Sequence, residues 1–105
     1  MTRPVRVRSL AVDDIDTSID YYLREAGDDA AGRFIDSVER ALSRISRNPS
    51  VGSLRFAFEL QIPDLRCIPL ARFPHLVFYM EAADHIDVWR VLHTRRDIPT
   101  TLLDA

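Results

Sequence analysis

A chain of 105 residues has room for one domain, and 47% hydrophobic with 29% charged residues is the balance of a folded protein, not a disordered one. The net charge of −2 removes a globally basic surface as an argument for nucleic-acid binding. All 14 basic residues are arginine, so no lysine is at hand as a base, a Schiff-base former or a phosphate clamp.

Val5 and Val7 alternate with Arg6 and Arg8, the period of a short strand. Ser9 suits the start of a helix in which Val12, Ile15, Ile19, Tyr22 and Ala26 recur at helical spacing. Asp13, Asp14 and Asp16 stand near its positive end, where capping accounts for them, and Asp20 faces Arg24 one turn on. Gly27 ends that helix. Asp28 or Asp29 caps a second, whose apolar stripe runs through Ala31, Phe34, Ile35, Val38, Ala41, Leu42 and Ile45 until Asn48-Pro49 stops it. A link as short as Gly27-Asp28 folds the two helices into an antiparallel hairpin.

Residues 51–62 carry no clean period and are expected to hold another strand or an irregular loop. Pro63-Asp64 marks a turn, residues 65–70 read as a strand, and Pro69 places that strand near an edge. Phe73-Pro74 turns the chain into a stronger strand over 75–80, and Ala83-Asp84 turns it again into a last strand over 86–93. The expected architecture is a single α+β domain over 1–105, in the order β-α-α-β-β-β. It is an antiparallel sheet with an N-terminal helical hairpin packed on one face.

Strict alternation puts Leu76, Phe78 and Met80 on one face of the sheet and Val77 and Tyr79 on the other. In the last strand it sets Ile86, Val88 and Leu92 against Trp89 and Val91. Both faces are apolar, and two helices cover only one. The second needs the C-terminal tail, the 51–62 segment or a partner chain.

No Gly-rich phosphate loop, HExxH, CxxC or GxSxG motif occurs, and His75, His85 and His93 are too scattered to declare a metal site. Neither a catalytic residue nor a cofactor is expected. Cys67, the single cysteine, rules out an internal disulfide and lies in an apolar stretch that suits a buried structural thiol. MTRPVRVRSL lacks the apolar core of a secretion signal and no run approaches a membrane span, so a cytoplasmic location with no membrane contact is expected. The one concentration of chemistry is the run from Arg90 to Asp97, with Arg90, His93, Arg95 and Arg96 at the end of the last strand. Guanidinium forks suit phosphate or carboxylate, and histidine trades a proton near neutral pH. The plain alternative is a solvated strand end with Asp97 paired to an arginine.

The phrase IPDLRCIPLARFPHLVFY, followed by IDVWRVLHTRRDIP, resembles the C-terminal half of the ParE toxins of the RelE/ParE superfamily. Its landmarks are Leu65-Arg66, the Phe73-Pro74 turn, Tyr79, and the Arg90-Val91-Leu92-His93 run closing with Arg95-Arg96-Asp97. Ser9 ahead of a helix holding Tyr22, Asn48-Pro49 and Gly52 match in the first half, so the likeness spans residues 3–99. The resemblance implies the toxin of a type II toxin–antitoxin system that inhibits DNA gyrase and growth, contributes to plasmid stabilisation, and is neutralised by a ParD-like antitoxin. DNA contact is then indirect, through the antitoxin. Expected target-binding residues are Arg90, His93, Arg95 and Arg96; expected antitoxin-binding residues are Val77, Tyr79, Trp89 and Val91. The rival is a RelE-like ribosome-dependent mRNA endoribonuclease, for which Arg66, Arg72, Arg90, His93 and Arg95 would have to assemble into one basic site.

Overall fold

Both helices and all four strands read from the sequence form where their periods place them. The structure, a computed structural model, describes residues 2–103. In chain order the elements are β1 (Val5–Val7), α1 (Ser9–Ala26), α2 (Asp28–Arg47), a 3-10 turn (Pro49–Val51), α3 (Arg55–Leu60), β2 (Arg66–Pro69), β3 (His75–Glu81), β4 (Ile86–His93) and α4 (Ile98–Leu103).

Gly27 alone joins α1 to α2, at a φ of 88° that favours glycine, and the helices return on each other as a hairpin. Asp28 and Asp29 in the first turn of α2 and Arg44 and Arg47 in its last complement the helix dipole. Phe34, Val38, Ala41 and Ile45 of α2 are buried as the stripe predicts, whereas Ile35 falls off it and is 37% exposed. In α1 the buried position is Ala11 and not Val12, and Ile15, Ile19 and Tyr22 pack against the core as their spacing predicts.

The sheet order is β1-β4-β3-β2. The meander β2–β3–β4 is antiparallel as expected, and β2, the strand carrying Pro69, lies at the edge. The expectation of a wholly antiparallel sheet fails at β1, which pairs parallel to β4 with Val5 opposite Ile86 and Val7 opposite Val88. A helical hairpin and two further strands separate these partners, and a connection of that length permits the parallel pairing that a tight turn forbids.

Residues 51–62 hold neither a strand nor an irregular loop. They complete the 3-10 turn and form α3, and only Ser53 reaches the sheet, in an isolated bridge to Cys67. Tyr79 fixes this connection: its hydroxyl accepts from the Gly52 N–H at 2.8 Å and donates to the Pro49 carbonyl at 2.8 Å. A Cβ at Gly52 would stand 2.6 Å from the Tyr79 oxygen, so the close approach requires glycine.

Two cores flank the sheet. Under the hairpin, Phe34, Val38 and Ile45 pack on Ile68, Val77, Tyr79, Ile86, Val88 and Val91. On the other face Phe56 and Ala57 of α3 and Ile98 and Leu102 of α4 cover Leu65, Cys67, Phe78 and Leu92. The second face is thus closed by the chain's own segments.

A β-bulge corrects the facing of the last strand. Phe78 pairs with Arg90 but Tyr79 pairs with Val88, leaving Trp89 as the extra residue. Past that point the parity inverts: Val91 joins Ile86 and Val88 under the hairpin, and Leu92 joins Trp89 on the opposite side. Three of the four residues expected to meet an antitoxin are consequently interior, with Val77 and Tyr79 at 0% and Val91 at 2% exposure. Buried beneath the hairpin, they offer a partner no surface. Trp89 is half-buried, its indole N–H donating to Asp87 at 3.1 Å and the Arg8 guanidinium lying 4.6 Å from its ring centre.

Candidate functional site: a cleft between α1 and the end of the sheet

The cluster at the end of β4 divides in two. Arg90 points back into the protein, where both its Nε and Nη2 donate to the Asp14 carboxylate at 2.8 Å. The Val91 N–H donates to the same carboxylate at 3.0 Å. The two side chains are only 10% and 7% exposed. The hydrogen bonds to Asp14 raise the Arg90 pKa above its ordinary value, against the opposing effect of burial. Arg90 therefore clamps α1 to β4 and is withdrawn from the expected target-binding set. Asp14, read as a helix-start residue, is the other half of that clamp.

His93, Arg95 and Arg96 stay together. They line a cleft of 640 Å³ with Pro74 and His75, and Thr17, Ser18, Tyr21 and Tyr22 of α1 form the facing wall. Positions 17, 18, 21 and 22 share one side of a helix by their three- and four-residue spacings, which is how α1 supplies a continuous wall. The Arg95 N–H donates to His93 Nδ1 at 3.0 Å, which holds the ring against the turn after β4. Arg95 and Arg96 are exposed, and neither has an ion-pair partner among the described residues. Asp97, the arginine partner of the plain alternative, instead accepts from the Thr100 backbone and hydroxyl at the start of α4.

His75 closes the floor of the cleft at 5% exposure. Its Nε2 lies 3.4 Å from the Ser18 hydroxyl, and its Nδ1 is buried with no hydrogen-bond partner. Its ring packs 5.1 Å from Phe34 and 5.2 Å from His93, centre to centre. Burial, and then the charge of His93, push its pKa down from 6.5 to about 4, with Asp14 opposing, so the ring is neutral at pH 7.

A pH dependence of stability follows. Between 6.5 and about 4 the unfolded His75 takes a proton that the folded one refuses. Stability is therefore fully present above the upper value, falls as the pH drops through this window, and levels off below the lower one. The expected loss from this group is about 1–3 kcal/mol. Urea midpoints at pH 7, 5.5 and 4 measure it. His75→Gln, which cannot titrate, should flatten that part of the profile, and an unchanged slope in the variant would assign the effect to other groups.

The basic set required by the endoribonuclease alternative does not assemble. Arg66 donates to the Ser50 and Gly52 carbonyls at 3.1 and 2.8 Å, bracing the connection after α2. Arg72 sits at a φ of 70° in the β2–β3 turn, beside Arg33 and Asp36 of α2. With Arg90 clamped, only His93 and Arg95 of that set share the cleft. Among the described residues no three His, Cys, Asp or Glu side chains stand close enough to hold a metal ion. Cys67 is the buried structural thiol its surroundings imply, 5% exposed, with burial pushing its pKa up. No helix among the described residues is long and apolar enough to cross a membrane.

The fold has a solved counterpart. The chain is similar, at a TM-score of 0.73 and 17% identity, to a structure described as the chromosomal ParDE TA system from P. aeruginosa, over 88% of this chain and 96% of that one. At that identity the likeness concerns the fold. No curated protein matches the sequence. A family profile does, that of the ParE toxin of the type II toxin-antitoxin system, parDE, and it runs over residues 5–98, from β1 to the start of α4. Because that match takes in every strand and both long helices, the chain belongs to the ParE toxin family of type II toxin–antitoxin systems.

Proposed function

We propose that this ParE-family toxin inhibits DNA gyrase in the cytoplasm, acts by binding and not by turnover, and is neutralised by a ParD-like antitoxin. The observation that carries the reading is the dispersal of Arg66, Arg72 and Arg90 to separate structural duties. Cleavage of an RNA phosphodiester needs an acid, a base and several cations converging on the scissile phosphate, and of the five candidates only His93 and Arg95 line the cleft, with His75 buried at its floor. The half-buried His93 and the exposed Arg95 and Arg96 form the target-facing surface in this reading. With Val77, Tyr79 and Val91 interior, the antitoxin meets the apolar side chains that remain outside, chief among them Phe58 of α3, 82% exposed. DNA contact by the complex is then made through the antitoxin.

The test is a purified supercoiling assay containing gyrase, ATP and plasmid, run beside an mRNA cleavage assay with and without ribosomes. Supercoiling should stop in the first while mRNA stays intact in the second. Ribosome-dependent cleavage with unimpaired supercoiling would place the chain with the endoribonucleases.

A further inference from the structure

The cleft has more structure than a surface that merely abuts a protein requires. Its 640 Å³ fall within the range of about 300–1,000 Å³ typical of small-ligand sites. Its walls differ in chemistry. On one side stands Tyr21, 53% exposed and in edge-to-face contact with Tyr22 at 5.3 Å between ring centres, a flat apolar surface held in place by its neighbour. On the other stand Arg95 and Arg96, two cations with no carboxylate partner among the described residues. The floor is His75, whose Nδ1 is buried without a partner although the ring is 5% exposed. Its Nε2 lies 3.4 Å from the Ser18 hydroxyl, so the floor meets the α1 wall through polar groups.

We infer that this cleft binds a nucleoside phosphate, with the phosphate held by Arg95 and Arg96 and the base laid against Tyr21. The assignment follows from the pairing of the two walls. Paired guanidinium groups match phosphate oxygens by charge and by geometry. An aromatic face set opposite them accepts a base by stacking, without demanding a particular sequence. A carboxylate ligand would satisfy the arginines but leave the tyrosine wall unused, and an apolar ligand would do the reverse. The hydroxyls of Thr17 and Ser18 stand on the same wall as Tyr21, where a ribose whose base lies on that ring presents its own hydroxyls.

The inference deepens the reading of Arg95 and Arg96 as target-facing, yet it is measured on the toxin alone, so it and the gyrase reading fail separately. The full-length ¹⁵N-labelled chain is titrated with GMP, inorganic phosphate, guanosine and a short oligothymidylate, and amide shifts are followed. GMP should give saturable shifts at Ser18, Tyr21, His93, Arg95 and Arg96, phosphate weaker shifts at the arginines only, and guanosine none. Arg95→Ala with Arg96→Ala should weaken GMP by about tenfold or more, with the remaining spectrum unmoved as proof of an intact fold. Tyr21→Ala should reduce GMP to the affinity of phosphate. Saturation by the oligonucleotide at the same residues names a strand as the source of the nucleotide, and saturation by GMP alone names the free pool; either supports the site. Absence of saturable GMP shifts in the cleft, or full binding by the double variant, overturns it.

Discussion

Asp14→Ala should lower stability by about 3–5 kcal/mol, the usual effect of removing one partner from a buried ion pair. A domain of this length has about 5–10 kcal/mol in all, so the variant should lose at least about a third of its stability. The size of the effect comes from what remains behind. Arg90 is held by two hydrogen bonds of 2.8 Å and the Val91 N–H by a third, all to one carboxylate. Deleting Asp14 strands a cation and a backbone donor together at a seam where the side chains are 10% and 7% exposed. Asp14→Asn keeps one acceptor and should cost less. Combining Asp14→Ala with Arg90→Met removes the stranded charge and should recover a large part of the loss. Urea unfolding of the three variants reads all of this. A loss below about 1 kcal/mol in Asp14→Ala would mean that the clamp is solvated and idle.

Replacing Arg95 and Arg96 together by Ala should abolish growth arrest when the chain is expressed alone, while antitoxin capture and thermal stability stay as they were. Both side chains are exposed, and the backbone they ride on is held by other contacts: Arg95 N–H to His93 and Arg96 N–H to the His93 carbonyl. Truncation at Cβ therefore removes charge and leaves packing untouched. The same experiment on Arg90 would give an ambiguous answer, since losing the Asp14 clamp destabilises the fold before any target is met. Plate survival after induction, with co-purification of the antitoxin and a melting curve on each variant, separates the two causes. Full toxicity in the double variant would move the target-facing surface to the helical hairpin.

The element order was legible because its signals are local. Asn48-Pro49 stops α2 and Ile86–His93 is a strand for reasons contained within a few residues. Pro69 announced an edge strand because a missing N–H has few other places to go. Features set by distant partners were not legible in the same way. The bulge at Trp89 exists only in the register of β4 against β3, and it turned a correct reading of period two into a wrong assignment for Val91 and Leu92. Four interior residues of α3 and α4 cover the second face, but each helix is six residues long, too short for periodicity to declare. The partner of Asp14 lies 76 residues away, so an acid near a helix start took the local explanation. Half of the candidate site was visible as the cluster at the end of β4. The facing wall was hidden in a helix whose Tyr22 had been assigned to the core.

The order of strands has a consequence for how the protein comes into being. The strand made last, β4, lies between β1 and β3 and is the only one that touches them both. Until it arrives β1 has no partner, and β2 with β3 is a two-stranded hairpin of the kind that is marginal in water. Pairing Val5 with Ile86 closes a loop of most of the chain, the kind of non-local contact that slows folding relative to a helical bundle. A nascent or truncated copy lacking β4 is thus not a weakened toxin but an unfolded one, because the same strand completes the sheet and carries the His93 wall of the cleft. A frameshift or early stop anywhere upstream disarms the product completely, and the interval before that strand docks is when the chain is most open to proteolysis.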